Sequence, residues 1–260
     1  RGIPSPWQEL EGRALEVLSL PKPAVHQKKG MIAFMIDVYY LILVVPALLF
    51  SVWASFRVNS TFERYSRVAN LRGLTAAQAA RMILDENGLV HVPVEQVSGH
   101  LSDHYDPKAN VIRLSASVYS STSVGAIGVA AHECGHAVQY AKGYFPIKIR
   151  AALIPITNIG SNAAIPLAVI GLFLGFGWLV DLGILLFLAV VAFQLVTLPV
   201  EFNASRRAME TLEMQMYLNA EELAGARKVL SAAAMTYVAA LVAAVANLLR
   251  LMALRNRNSR

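Results

Sequence analysis

The segment that could carry chemistry is 130–139, AAHECGHAVQ, in which two histidines lie four residues apart and a glutamate follows the first. Positions four apart share one face of an α-helix, so His132 and His136 can direct two imidazoles at one ion, with Glu133 beside them. Neutral imidazoles hold zinc and leave coordination sites open, and a neighbouring carboxylate can take a proton from a water that zinc polarises. The motif therefore predicts metal-assisted hydrolysis of an amide bond.

The same residues could instead be ordinary core groups, because a pattern with three fixed positions also arises by chance. Their neighbours argue against this alternative. The surrounding residues are mostly alanine, glycine and valine, and polar groups buried in such a helix need a partner. The metal-ligand interpretation is therefore favoured.

The composition indicates a membrane protein. Hydrophobic residues make up 56% of the chain and charged residues 15%, and the mean hydropathy is +0.49. The net charge of +6 could indicate nucleic acid binding, but the Lys and Arg residues flank hydrophobic runs instead of clustering with aromatics. We expect a lipid bilayer, and no nucleic acid, as a partner. The single cysteine, Cys134, excludes a disulfide framework and is expected to be a small core residue.

The first 56 residues divide into an extension and a membrane span. Residues 1–30 begin with Arg, are rich in proline and lack a long apolar run. We expect a disordered or non-native extension there or, alternatively, a short amphipathic surface helix over 7–20. Residues 31–56 contain an apolar run from 38 to 56 that matches the hydrocarbon thickness of a bilayer, which predicts a first transmembrane helix.

Residues 57–150 have the composition of a soluble unit. Thr75 and Gln78 form a capping-box pattern that predicts a helix to about Asn87, with Gly88 ending it. Two β-branched runs, 90–97 and 111–114, predict strands, and the second leads into the helix of the motif. We therefore predict a small α+β, zincin-like catalytic unit, and an exposed strand edge there would let an extended peptide substrate add as a further strand.

Other polar residues of this unit are weaker candidates for the site. His91, His100 and His104 lie in turns or loops, where a lone histidine is more often a surface group than a ligand. Tyr105 and Asp106 are placed slightly higher, as possible neighbours of the site.

Residues 151–200 are predicted to form a transmembrane hairpin. The apolar run from 163 to 200 is about twice the length of one span, and Gly175, Gly177 and Gly183 provide a tight connection at its middle. A hairpin returns the chain to the side that it left. Whatever follows Val200 should therefore emerge on the same face as the two histidines.

Three segments carry a family resemblance: 132–136, 103–107 with the sequence DHYDP, and 198–208 with the sequence LPVEFNASRRA. Together they resemble the YugP-like membrane zinc metallopeptidases of bacteria over about residues 35–254. More distantly, the chain is similar to the HtpX and CAAX-prenyl-protease group, whose third zinc ligand is a glutamate that opens an E-x-x-A-D helix. Ser205 stands where that group usually has aspartate, so the role of that carboxylate is not carried over.

The resemblance implies that Glu201 is the third protein ligand. Two histidines, one carboxylate and a water are also a common ligand set of zinc hydrolases, and the hairpin brings Glu201 to the correct face. The alternative is an ordinary glutamate in the first turn of a helix at the membrane surface. Arg206 and Arg207 could stabilise an anionic intermediate, although anchoring at the lipid headgroups is favoured for both.

The rest of the chain is divided into a Glu-ligand helix with a polar segment (201–228), a fourth transmembrane helix (229–254) and a tail (255–260). Most Lys and Arg outside the extension lie in 57–150 and 206–228, so the positive-inside tendency predicts that the site faces the cytoplasm. Arg250, Arg255, Arg257 and Arg260 would then lie on the outer side. Either a few charges are tolerated there or the last helix does not cross.

The sequence thus predicts a mostly α membrane protein with about four transmembrane helices, acting as an endopeptidase with one Zn²⁺. Its substrate would be a peptide or a membrane protein, and no oligomeric state is predicted. One alternative is a catalytically silent protein with a structural metal site, which would be closed by four ligands and would not need Glu133. A transporter that uses Asp181 and Gln194 is a weaker alternative, because these residues lie at a turn and near a span end.

Overall fold

The structure, a computed structural model, describes residues 37–99 and 102–258 of the 260-residue chain. The extension 1–30, its alternative helix over 7–20, and His100 lie outside the described residues. Helices follow one another in this order: a π-helical turn Tyr40–Val44, α1 Val45–Ser66, α2 Ala76–Glu86, α3 Ala116–Tyr119, α4 Val124–Ala141, α5 Phe145–Leu174, α6 Gly177–Met214 and α7 Ala220–Asn258. The strands are β1 Val94–Val97, β2 His104–Asp106 and β3 Val111–Ser115.

Four helices of the described residues are long and apolar enough to cross a bilayer. They are Tyr40–Ser66, Phe145–Leu174, Gly177–Met214 and Ala220–Arg257. Their outer faces carry apolar side chains such as Phe56 and Leu185, which are 74% and 63% exposed. Apolar surface of this extent is unfavourable in water but suits a lipid environment. The prediction of about four transmembrane helices with a small α+β unit is confirmed.

The central hairpin of α5 and α6 turns at the predicted glycines. Gly175 ends α5 with a left-handed φ of 72°, which a residue without a Cβ adopts at little cost. The two helices pack closely, since a Cβ added at Gly160 would lie 2.6 Å from the Leu186 carbonyl oxygen. The hairpin helices are longer than the run from which they were predicted. The division of the chain into segments stays a prediction, and Glu201 lies inside the continuous α6 instead of opening a helix of its own.

The sheet has the order β1-β3-β2, with β3 parallel to β1 and antiparallel to β2. The predicted strand over 90–97 is shorter in the structure, where 90–93 form a turn and a bend and Pro93 has no N–H to donate. The sequence analysis missed β2. Its three residues lack a β-branched run, although the turn that follows it, directly before β3, is a hairpin signal.

Helix α2 begins and ends as predicted and packs on α4. The Thr75 side chain accepts from the Gln78 N–H at 3.2 Å, and the Thr75 N–H donates to the Gln78 side chain at 2.9 Å. Gly88 follows with a φ of 73°. Cys134 is buried between the two helices, where its thiol donates to the Ala80 carbonyl oxygen at 3.5 Å. Its predicted role as a small core residue agrees with this position.

Helix α7 runs from the α4 end of the molecule to the turn of the hairpin. Near its start, Ala226 lies against Gly128 of α4. Near its end, the Arg255 Nε lies 2.7 Å from Asp181 Oδ1, and the Arg250 Nη2 lies 2.8 Å from Asp37 Oδ2. The last helix therefore extends alongside the whole length of the hairpin. This favours the alternative in which it crosses the membrane completely.

Candidate metal centre

Helices α4 and α6 bring together the three predicted ligands. The rings of His132 and His136 lie one turn apart on α4, with their centroids 4.7 Å from each other. Glu201 of α6 faces both rings: its Oε2 lies 3.2 Å from His132 Nε2 and 3.5 Å from His136 Nε2. One ligand atom from each residue lies within 4.8 Å of the others. Two imidazoles and a carboxylate in this arrangement could hold a metal ion.

The close approach of α4 to α6 depends on Gly135, which lies between the two histidines in sequence. A Cβ added at Gly135 would lie 2.5 Å from the carbonyl oxygen of Ala204. Real Cβ atoms do not approach backbone oxygen so closely, so any other residue would push the helices apart. The sequence analysis did not identify this role, although a glycine inside a helix is a signal of close packing.

The hydrogen bonds of Gln139 determine which nitrogen of His136 is protonated. The Gln139 Nε2 donates to the Val200 carbonyl oxygen at 2.8 Å and to Asn203 Oδ1 at 3.0 Å. Because a carbonyl oxygen only accepts, the other amide atom, Oε1, faces His136 Nδ1 at 3.0 Å. His136 Nδ1 is therefore the donor, and the lone pair of Nε2 points toward Glu201. This is the tautomer that a metal ligand requires.

His132 is held at Nδ1 by Ser205, whose Oγ lies 3.1 Å away. This is the position where the distant group usually has aspartate, and here a neutral hydroxyl makes the contact. On the His136 side, the Arg207 Nε donates to Asn203 Oδ1 at 2.8 Å, and the same oxygen accepts from Gln139. The outer nitrogens of both histidines are thus held by polar side chains, which orient the rings.

Glu133 is held at the centre by the edge strand β2. The Tyr105 backbone N–H donates to Glu133 Oε2 at 2.9 Å. Burial raises the pKa of Glu133 to about 7, and the charges of Glu201 and Asp103 act in the same direction, against His132 and the Tyr105 N–H. A carboxyl with a pKa in this range can accept and return a proton at neutral pH.

Other predicted neighbours lie at different distances from the centre. Tyr105 contacts Glu133 through its backbone, while its hydroxyl donates to Asn110 Oδ1 at 2.6 Å. Asp106 instead pairs with Arg113, which lowers the pKa of Asp106 below its usual range. Arg206 is exposed, and its Nε lies 3.9 Å from Glu210 Oε1. The structure thus brings the Tyr105 backbone to the site but not the side chains of Asp106 and Arg206.

The remaining predicted histidines do not join the three ligands. His91 and His104 are exposed, and His104 Nδ1 lies 2.7 Å from the Ser102 carbonyl oxygen. Neither belongs to the group of potential metal ligands found among the described residues.

Two residues that the sequence analysis missed lie near Glu201. The Arg150 Nη1 of α5 lies 3.1 Å from Glu201 Oε1, and Tyr237 of α7 is close enough to the same carboxylate to interact with it electrostatically. A signal for Arg150 existed, because a charged residue within a membrane helix often marks a functional site. The donor set and the orientation of the rings fit a zinc ion.

Known proteins resemble this chain in sequence. No solved structure matches the chain. A relative described as "Putative membrane protease YugP", from Bacillus subtilis (strain 168), is 49% identical over 211 residues, which cover 81% of this chain and 94% of the relative. Residues 40–256 match the family described as "Putative neutral zinc metallopeptidase". The chain therefore belongs to this family.

Proposed function

We propose that the protein is a membrane-embedded zinc endopeptidase in which His132, His136 and Glu201 hold one zinc ion and Glu133 is the general base. The observation that supports this most is the convergence of three ligand atoms within 4.8 Å, with the outer nitrogen of each histidine already occupied. A structural zinc site is usually closed by four ligands, whereas the group found among the described residues has three. An open position would admit water and substrate.

The chain's own residues would divide the work of hydrolysis. Zinc, when bound, polarises the peptide carbonyl and makes a water easier to deprotonate. Glu133, oriented by the Tyr105 N–H, accepts the proton of the attacking water and returns it to the leaving amine. The amide of Gln139 keeps His136 in the tautomer that binds metal.

The edge strand β2 offers a way to bind the substrate. The Tyr105 N–H points from the free edge of β2 toward Glu133, because the opposite edge pairs with β3. An extended peptide adding along this edge would pass close to the general base. We propose a peptide substrate, or an extended segment of a membrane protein, in this position.

The level of the site along α6 supports a substrate near the membrane surface. At a rise of about 1.5 Å per residue, Glu201 lies about 36 Å along the helix from Gly177 at the turn. The hydrocarbon core of a bilayer is about 30 Å thick, which puts the centre at the level of the headgroups. The Lys and Arg of 57–150 and 206–228 favour the cytoplasmic side.

The third ligand is tested by Glu201→Ala, with Glu210→Ala as the matched control on the same helix. Removing one of three protein ligands should release zinc, so the purified variant should lose metal and peptidase activity together when dialysed in detergent against a mild chelator. Glu210 is exposed and pairs with Arg206, so its variant should retain both. Stoichiometric zinc and full activity in Glu201→Ala would exclude Glu201 as a ligand.

A further inference from the structure

The two oxygens of the Glu201 carboxylate have different neighbours. Oε2 faces the Nε2 atoms of His132 and His136, while Oε1 lies 3.1 Å from the Arg150 Nη1. The Glu201 side chain is only 3% exposed. A buried carboxylate is unfavourable unless its charge is paired and its oxygens accept hydrogen bonds, and Arg150 satisfies the oxygen that the histidines leave free.

Arg150 reaches Glu201 from a different arm of the hairpin. It lies near the start of α5, and close packing of α5 on α6 brings it to the centre. Its Nε is buried and has no hydrogen-bond partner among the described residues, so the guanidinium is not held by the surrounding helices through that atom. Arg150 forms an ion pair with Glu201, and an arginine keeps its charge in such surroundings.

We propose that Arg150 is a positioning residue that makes Glu201 a ligand through one oxygen and thereby sets the affinity for zinc. A carboxylate with both oxygens free can rotate and bind a metal through either or both of them. With Oε1 held by Arg150, only Oε2 faces the space between the imidazoles. This inference rests on the proposed function, because it requires Glu201 to be a ligand.

A purely structural ion pair and a positioning pair predict different measurements. Loss of a structural pair would lower the melting temperature but leave the metal's coordination unchanged. Loss of a positioning pair changes the geometry and affinity of the metal site, as removing groups that orient ligands typically weakens metal binding by about 10- to 100-fold. Metal affinity and the visible spectrum of a cobalt-substituted protein therefore separate the two roles.

The experiment compares Arg150→Met and Arg150→Lys with the control Lys148→Met. Lys148 is an exposed cation on the same helix. Zinc dissociation constants are measured by chelator competition in detergent, and Co²⁺ spectra are recorded on the same full-length proteins. We expect Arg150→Met to raise the zinc dissociation constant about 10- to 100-fold and to shift the Co²⁺ bands. Arg150→Lys should weaken zinc less and still shift the bands, because an ammonium lacks the planar fork of a guanidinium. Lys148→Met should match the wild type.

The outcomes distinguish this inference from the proposed function. Wild-type affinity and spectrum in Arg150→Met, together with zinc loss in Glu201→Ala, would overturn the role of Arg150 and leave the proposed function intact. Zinc retention in Glu201→Ala would overturn both. Circular dichroism of each variant checks folding, and if Arg150→Met does not fold, a wild-type dissociation constant and spectrum in Arg150→Lys overturn the inference.

Discussion

The two histidines of the centre are oriented by neutral neighbours. Ser205 contacts Nδ1 of His132, and the Gln139 amide accepts from Nδ1 of His136. A carboxylate in either position would make the imidazole more basic, as in metal sites where aspartate supports a histidine ligand. Here the carboxylates are Glu201, which faces both rings, and Glu133, which interacts electrostatically with His132 and Glu201. In the proposed function, these two carboxylates are the groups that bind the ion or move a proton.

At this scale we predict the effect of Glu133→Gln. The amide keeps an oxygen that can accept from the Tyr105 N–H, so the fold and zinc content should be preserved. It cannot act as a base, and turnover of a peptide should fall about a thousandfold or more. Peptide hydrolysis and metal content of the purified variant measure both effects. Near-normal turnover would remove Glu133 from the role of base.

At the scale of elements, small residues determine how closely the motif helix approaches its neighbours. Gly135 lets α4 touch the backbone of α6 at Ala204, and Gly128 lets α4 pack against Ala226 of α7. The two contacts differ in tightness. A Cβ would lie 2.5 Å from a backbone oxygen at Gly135 but 3.4 Å from a side-chain methyl at Gly128. Only the first of these contacts is between α4 and α6, the helix that carries Glu201.

We therefore predict that Gly135→Ala damages the centre, while Gly128→Ala is tolerated. Overpacking typically costs about 1–3 kcal/mol. That exceeds the gain of up to about 1 kcal/mol that alanine brings to a helix. Zinc affinity and melting temperature should both fall in Gly135→Ala and stay near the wild type in Gly128→Ala. Equal behaviour of the two variants would show that the contact with α6 does not limit the site.

At the scale of the whole molecule, ion pairs explain the basic residues at the far end of α7. Arg250 pairs with Asp37 ahead of the first membrane helix, and Arg255 pairs with Asp181 beside the hairpin turn. A paired charge is less costly to place in or near a membrane than an isolated one. These arginines are therefore compatible with an outer location, and they do not contradict the positive-inside tendency on which the proposed orientation rests.

Topology reporters test this arrangement. A reporter inserted at Gly88 and one fused after Gln215 should both report the cytoplasm, because α5 and α6 form a hairpin between them. A third reporter, inserted at Gly175 in the turn, should report the opposite side. Opposite locations for the first two reporters would contradict the hairpin as a membrane-crossing unit, since Glu201 could not then reach the histidines.

Much of the architecture is predictable from the sequence because it depends on local patterns. The spacing of His132 and His136 follows from the helical repeat, and the membrane helices follow from the length of apolar runs. The capping box at Thr75 and the glycine turn at Gly175 are likewise local signals. The position of Glu201 beside His132 is not a local signal, because 69 residues separate the two. Its prediction depended on the number of membrane spans between them and on the family resemblance.

Contacts between distant segments were decided by the tertiary structure alone. No periodicity indicates that Gly135 meets the backbone of Ala204, that Gln139 bridges His136 and Val200, or that Arg150 faces Glu201. The sequence indicated Arg206 and Arg207, on the helix that carries Glu201, as possible cations beside the centre, whereas packing of the hairpin brings Arg150 there from its other arm. A local pattern predicts which face of a helix a residue occupies. Only the packing of helices determines which residues that face meets.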